Sequence, residues 1–166
     1  MLKASGYVRS DALNGEKPFD SIVLAHDERH FRRRVLPLEG GDRLYVDLPE
    51  PVALETGDAL RLEDGRLAGI VAASEPLMEI RARDSVHLAQ LAWHIGNRHL
   101  AAAIEADRIL ILRDHVIRAM LEGLGASIAD VEESFAPVRG AYSGHAHGHH
   151  HHGHGESHGH HDHHHG

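Results

Sequence analysis

The sequence contains no cysteine, which excludes disulfide bonds and thiolate metal ligands. Aromatic residues make up only 4% of the 166 residues, and lysine occurs only at Lys3 and Lys17. The formal net charge is −8 with neutral histidine. Because an acidic chain with few aromatic side chains is poorly suited to nucleic acid, we expect no nucleic-acid partner.

Long apolar runs are also missing. No segment approaches the roughly 20 apolar residues that a helix needs to cross a membrane. The first residues, MLKASGYVRSDALNGEK, lack the apolar centre of a signal peptide. We therefore expect no membrane partner and a cytoplasmic location.

Histidine, in contrast, is abundant and concentrated at the C-terminus. Residues 145–166 hold 13 of the 19 histidines, together with five glycines. They include no Leu, Ile, Val or aromatic side chain whose burial could offset the entropy of ordering the backbone. We expect residues 143–166 to form a disordered tail, and the preceding residues are enough for one domain or two small ones.

The tail carries the strongest chemical signal in the sequence. Neutral imidazole suits nickel, zinc and copper(II), and intervening glycines let successive histidines converge on one ion. A purification tag is an alternative origin, but tags are usually uninterrupted hexahistidine, and the longest run here is four. The predicted tail ligands are His145, His147, His149, His150, His151, His152, His154, His158, His160, His161, His163, His164 and His165.

The first 75 residues have the pattern of short β-strands. In the clearest pair, apolar and polar residues alternate on both sides of Asp64-Gly65, a strong two-residue hairpin signal. We predict a small antiparallel β domain over residues 1–75. Its strands are predicted at 30–38, 43–49, 59–63 and 66–73.

Beyond residue 75 the pattern changes to strands that alternate with helices. Asp84 or Ser85 can cap a first helix, and Asp114 can cap a second. The order βαββαβ is the ferredoxin-like arrangement, which we assign to residues 76–142. Its strands are predicted at 77–82, 101–106, 108–112 and 126–137. The predicted fold class is therefore α+β.

The first helix carries two histidines, and a third follows it. His87 and His94 belong to a narrow polar stripe on an otherwise apolar helix, so we expect both to face solvent. They lie about 10 Å apart, too far to chelate one ion together. Gly96-Asn97 is expected to supply a left-handed end to the helix, which puts His99 on a connecting loop.

His99 is the best candidate for a defined metal site. One imidazole does not bind a transition metal selectively, but a two-fold dimer would present the same residue twice across its axis.

His115 follows the capping Asp114, where the positive end of the helix dipole disfavours a protonated ring and leaves it able to bind metal. His26 and His30 are expected on the surface.

No catalytic constellation accompanies these histidines. The sequence has no HExxH, GxSxG or GxxxxGK[ST] motif, and we do not expect an enzyme. A metal-dependent hydrolase and an RNA-binding ferredoxin-like domain are alternative classes. The acidic charge and the lack of strand aromatics argue against the second.

The segment WHIGNRH (93–99), followed by DHV (114–116) and later by GAY (140–142), closely resembles the UreE family of urease accessory proteins. The similarity covers residues 15–142, and many members carry a histidine-rich tail. It implies an N-terminal domain similar to a peptide-binding domain and a ferredoxin-like domain that forms homodimers. It also implies that the histidine of GNRH, here His99, binds nickel between the two chains.

The resemblance implies a function as well. Members of this family donate nickel to urease apoprotein with the help of a GTPase and other accessory proteins. We therefore expect Ni²⁺ as cargo, and a homodimer whose partners are urease apoprotein and the urease accessory GTPase complex. Some members carry an extra histidine just before DHV, where this chain has Leu112-Arg113, which leaves His115 and the tail to complete the coordination.

Other functions remain open on the sequence. One alternative function is that of a general nickel or zinc buffer, and another is that of a chaperone for another nickel enzyme. Divalent ions at nitrogen and oxygen ligands follow a general order in which copper binds most strongly. The residues therefore do not rank nickel above zinc or copper.

Overall fold

The computed structural model describes residues 1–140, in which each half of the chain forms its own β-sheet. The predicted tail at 143–166 and its histidines lie outside the described residues. In the part of the chain that the structure describes, no helix combines the length and apolar character needed to cross a membrane.

The N-terminal domain is a six-stranded sheet with the order β2-β6-β5-β1-β4-β3. Short 3-10 turns at Ser10–Ala12 and His26–Glu28 precede β2 and β3. The strands are β1 (Leu2–Val8), β2 (Asp20–Leu24), β3 (His30–Pro37), β4 (Arg43–Ala53), β5 (Ala59–Leu62) and β6 (Leu67–Ala72).

This sheet is mixed, which corrects the prediction of an antiparallel domain. β1 pairs in parallel with β4, and β2 pairs in parallel with β6, whereas the other pairings are antiparallel. The predicted strands are all present, but β1 and β2 were not predicted. Alternation of apolar residues shows which side chains face a core and carries no information about the direction of the neighbouring strand.

Glycines occupy the turns that the sequence indicates. Gly65, between β5 and β6, has a φ of 88°, and Gly41, between β3 and β4, has a φ of 98°. Only a residue without Cβ adopts these angles readily. The backbone N–H of Leu62 also donates to the carbonyl of Arg66 (2.9 Å), which closes the hairpin predicted at Asp64-Gly65.

The C-terminal domain confirms the predicted ferredoxin-like arrangement. Its four strands pair antiparallel in the order β10-β7-β9-β8, so the first and third strands lie at the centre. Apolar residues of both helices, including Leu91 and Leu121, pack in one core with Met78 and Ile109. The elements are β7 (Ser74–Arg81), α1 (Ser85–Asn97), β8 (Ala102–Ile104), β9 (Ile109–Leu112), α2 (His115–Gly123) and β10 (Ser127–Ser134).

Both helices begin at predicted caps. The carboxylate of Asp84 accepts the backbone N–H of His87 at 2.7 Å, and that of Asp114 accepts the N–H groups of Val116 and Ile117. These contacts satisfy amide groups that have no partner within the helix. The capping residues therefore fix where α1 and α2 start, and with them the positions of the histidines.

Buried polar contacts join the two domains. The guanidinium of Arg29, which is 7% exposed, donates to the carbonyl of Phe135. His26 Nδ1 lies 2.7 Å from Glu75 Oε1, and the His26 ring packs edge-on against Phe135. The prediction that His26 lies on the surface is therefore wrong, because its side chain is largely buried in this contact, whereas His30 is exposed. A domain boundary at residues 75–76 stays a proposal.

Candidate metal centre

His99 lies directly after α1 with its backbone held in an unusual conformation. Its φ is 55°, in the left-handed region, and its N–H donates to the carbonyl of Gly96 at 3.0 Å. Gly96 and Asn97 remain helical, so the prediction that they supply the left-handed end is wrong, and His99 supplies it. Histidine is one of the few side chains enriched in this region, and strained backbone of this kind is concentrated at functional sites.

The His99 side chain is exposed at the end of this rigid support. The N–H of the preceding Arg98 donates to the carbonyl of Ile95 at 3.1 Å, which fixes the last turn of α1. Among residues 1–140 the imidazole of His99 has no hydrogen-bond partner. The backbone therefore fixes where the side chain begins, and the exposed ring is accessible to a ligand.

His115 is the first residue of α2, and its side chain is also exposed. A cleft of about 260 Å³ separates the loop after α1 from the start of α2. Leu100 and Ala101, which follow His99, form one wall, and Asp114, which precedes His115, lies in the other. Both candidate histidines are therefore covalent neighbours of residues that line the same cleft.

One copy of the described chain does not complete a metal site. Residues 1–140 contain no group of three or more His, Asp or Glu side chains arranged to hold a metal ion. An ion held at His99 by three or more ligands would therefore need ligands from outside residues 1–140 of the same copy.

His87 does not belong to the candidate site. It is only 3% exposed, so the prediction that it faces solvent is wrong. Its Nδ1 accepts the N–H of Arg83 at 3.2 Å, so Nε2 carries the hydrogen and donates to the carbonyl of Leu124 at 2.7 Å. With both ring nitrogens occupied, His87 is a structural residue. His94, on the same helix, is half-buried and packs edge-on against Trp93.

The surface of α1 carries large exposed apolar side chains beside the polar Gln90 and His94. Val86 is 65% exposed and Trp93 is 64% exposed, and both line a groove of about 480 Å³ that extends to Leu124. On α2, Val116 is 62% exposed, although its helical position predicts a buried side chain. Large exposed apolar side chains on neighbouring elements are typical of an interaction surface.

Comparison with known proteins identifies one family for both domains. Two family models match the chain: the N-terminal domain of the UreE urease accessory protein at residues 6–73, and its C-terminal domain at residues 75–165. The chain belongs to the UreE family of urease accessory proteins. The match to the second domain includes His99, His115 and the histidines of the tail up to His165.

Individual UreE relatives are similar along most of the chain. The urease accessory protein UreE of Mesorhizobium japonicum is 69% identical over 126 residues, which are 76% of this chain and 64% of that protein. The Brucella anthropi protein of the same name is 58% identical over 144 residues, 87% of this chain and 85% of that protein. The one from Agrobacterium fabrum is 55% identical over 145 residues, 87% of this chain and 89% of that protein.

Proposed function

We propose that this protein is a nickel metallochaperone of urease maturation, which binds Ni²⁺ and donates it to urease apoprotein. The observation that carries the proposal is the exposed imidazole of His99, on a left-handed backbone at the end of a helix with large exposed apolar side chains. Membership of a family of urease accessory proteins supports urease as the destination. Nickel is the proposed cargo, although the same imidazoles also suit zinc and copper.

We further propose that two copies of the chain share the ion. A two-fold axis close to the C-terminal end of α1 would bury Trp93 and Val86 of each copy and bring the two His99 rings together. The high exposure of both apolar side chains supports this arrangement, because burying them removes apolar surface from water. The homodimer would thus supply two His99 ligands, one more than a single copy offers.

The remaining ligands are proposed to come from His115 and from the tail. A chain segment with 13 histidines offers many overlapping ligand sets, but each captured ion must order part of the backbone. Ligands of this kind exchange one at a time with those of another protein, so the metal passes on without release as a free ion. The proposed recipients are urease apoprotein and the urease accessory GTPase complex, and a cytoplasmic location stays a prediction.

Activation of urease apoprotein tests this function. Apoprotein and accessory proteins are incubated with limiting nickel supplied on the wild-type protein or on a His99→Asn variant. Asparagine tolerates the left-handed backbone but lacks the imidazole, so the variant should fold normally and activate much less urease. A chain truncated after Gly144 should still activate urease while carrying fewer ions.

The same experiment separates the alternative functions. A general nickel or zinc buffer would deliver metal through the tail alone, so full-length His99→Asn would activate as well as wild type. A chaperone for another nickel enzyme would activate that apoenzyme and leave urease inactive. Either result contradicts the proposed function.

A further inference from the structure

A cleft of about 300 Å³ lies where the N-terminal sheet meets the segment that follows β10. Leu54 and its neighbours form the wall on the side of the N-terminal domain, and Ala136 and Pro137 form the opposite wall. Neither His99 nor His115 lines this cleft. The proposed nickel chemistry therefore gives it no role.

Arg29 lines the cleft as a buried cation, and residues 1–140 supply it with no acidic partner. The residue is 7% exposed, and its one side-chain hydrogen bond within those residues runs from Nη2 to the carbonyl of Phe135. Buried arginines are usually paired with a carboxylate, because it is costly to remove an unpaired charge from water. A carbonyl oxygen carries only a partial charge, so the pairing of Arg29 is incomplete.

The Arg29 guanidinium keeps donors that a ligand can use. A guanidinium has five N–H groups in two forks, and each fork uses a different N–H of Nη2. The bond to Phe135 therefore leaves one fork complete. In the described residues, no side-chain nitrogen shielded from water lacks a hydrogen-bond partner. The nitrogens of Arg29 that have no partner are thus open to water, and a fork of this kind matches the two oxygens of a carboxylate.

The carboxylates near the cleft are held by other groups. Glu55 lines the cleft, and its Oε1 accepts a hydrogen bond from the guanidinium of Arg139 at 2.9 Å. Glu75 Oε2 accepts the backbone N–H of His26 at 3.0 Å, and its Oε1 lies 2.7 Å from His26 Nδ1. Both carboxylates are therefore engaged, and the charge of Arg29 is left for an anion from outside the described residues.

We propose that this cleft binds a monocarboxylate with a small apolar body. The free fork of Arg29 would hold the carboxylate, and Leu54, Ala136 and Pro137 would cover the apolar part. A volume of about 300 Å³ is at the small end of ligand sites. A phosphate group carries more negative charge than one guanidinium offsets. This site does not depend on nickel, so the inference goes beyond the proposed function.

Titration of the full-length chain with sodium isobutyrate tests the site. Isobutyrate joins one carboxylate to an isopropyl group, and isobutyramide is its neutral isostere. Proton–nitrogen correlation NMR follows the Nε–H of Arg29 and the backbone N–H of Leu54, which donates to the carbonyl of Arg29 at 2.8 Å. At constant ionic strength, isobutyrate should shift both signals with a dissociation constant of about 1 mM, as two charge-assisted hydrogen bonds allow. Isobutyramide should leave both signals unchanged.

Two substitutions remove the site in different ways. Arg29→Met removes the charge and the donors, and Ala136→Leu fills the cleft while leaving Arg29 in place. Ala129→Leu, at an exposed position on β10 that does not line the cleft, is the matched control. Followed at Leu54, the first two variants should bind isobutyrate at least about tenfold more weakly than wild type, and the control should bind equally. Ala136→Leu decides the test if Arg29→Met does not fold.

Several results would overturn the proposal. If wild type showed no saturable shift, Arg29 would have only a structural role, as the donor to Phe135. Equal shifts with isobutyramide would show that the charge of the ligand does not matter. Binding that survived in folded Arg29→Met or in Ala136→Leu, or an equal loss in Ala129→Leu, would place the ligand elsewhere. Nickel takes no part in these titrations, so failure of this site and failure of the proposed function are distinguishable.

A peptide distinguishes two sources of the carboxylate. Acetyl-Ala-Val with a free carboxyl end presents the same isopropyl group beside a carboxylate, now at the end of a chain, and its amide is the control. Tighter binding of the peptide acid than of isobutyrate would assign the cleft to the end of a polypeptide. Equal or weaker binding would assign it to a free carboxylic acid. The peptide amide should not bind, and binding of acid and amide with the same affinity would contradict recognition by Arg29.

Discussion

The Nε2 atom of His87 lies 2.7 Å from the carbonyl oxygen of Leu124, and this contact joins α1 to the residue that follows α2. The other ring nitrogen accepts the N–H of Arg83. The ring of His99, in contrast, has no hydrogen-bond partner among residues 1–140. Two histidines near opposite ends of one helix therefore have opposite roles, one structural and one available to metal.

Substitution of His87 should affect stability and leave metal binding intact. His87→Ala removes both ring hydrogen bonds and leaves a cavity, so the free energy of unfolding should fall by about 2–3 kcal/mol. His94→Ala, on the same helix but half-buried, should lose less than about 1 kcal/mol. Urea denaturation measures both, and nickel titration should give wild-type stoichiometry. A loss of the tight nickel site in His87→Ala would contradict the structural role.

The exposed face of α1 should be required for dimerisation. Trp93→Glu places a charge at the centre of the proposed interface, where burial without a partner is strongly unfavourable. We expect the variant to sediment as a monomer in analytical ultracentrifugation and to lose tight nickel binding. Val71→Glu, on the N-terminal sheet and 41% exposed, is the matched control and should remain dimeric. A dimeric Trp93→Glu protein would place the interface elsewhere.

His115 should contribute to the site without defining it. In the chain truncated after Gly144, His115→Ala should weaken the nickel affinity by less than tenfold, because a proposed secondary ligand is lost while the proposed pair of His99 rings remains. Isothermal titration gives the affinity directly. Complete loss of binding would make His115 a principal ligand, and an unchanged affinity would remove it from the site.

Acid should destabilise the C-terminal domain through its carboxylates. Hydrogen bonds from Arg81 and then Arg108 hold the pKa of Glu79 below its ordinary value of 4.5, and a hydrogen bond from Arg108 does the same for Glu133. A carboxylate whose pKa is lower in the folded than in the unfolded state stabilises the folded state at pH values above its unfolded-state pKa. This contribution is lost as pH falls through the folded pKa. Stability should therefore decrease below about pH 4.5.

Glu79→Gln checks the sign of this effect. The variant should be less stable than wild type at pH 7, and the difference should shrink as pH falls below 4.5, where the wild-type carboxylate becomes protonated. The urea midpoints of wild type and variant measure this difference in stability. Both chains are truncated after Gly144, so that the tail histidines do not titrate in the same experiment. A difference that stays constant from pH 7 to pH 3 would contradict the electrostatic explanation.

Local sequence signals were enough to predict much of the C-terminal domain. The caps Asp84 and Asp114 and the helical period of apolar residues act within a few neighbours, so α1 and α2 could be placed before the structure was known. The Asp64-Gly65 hairpin is equally local. β1 was missed because Ala4 is its only buried residue, so it lacks a regular apolar alternation, and it also contains an irregular register near Gly6; β2 was missed as well.

The positions of the candidate histidines in the fold were predicted in part for the same reason. The exposure of His99 follows from the end of the helix, but its left-handed backbone depends on where α1 stops, which the Gly96-Asn97 signal misplaced by two residues. The burial of His87 depends on a carbonyl 37 residues away. The contact between Arg29 and Phe135 joins residues 106 positions apart, and no local pattern could reveal it.

The most direct test of the central claim is a nickel titration of three proteins: the full-length chain, the chain truncated after Gly144, and that truncated chain with His99→Asn. Because the tail is proposed to add ligands and the proposed two-fold axis would pair the His99 rings, we expect several ions per dimer, then about one, then almost none. If the truncated His99→Asn protein kept a tight nickel site, the metal would be bound elsewhere, and the shared His99 centre would be wrong.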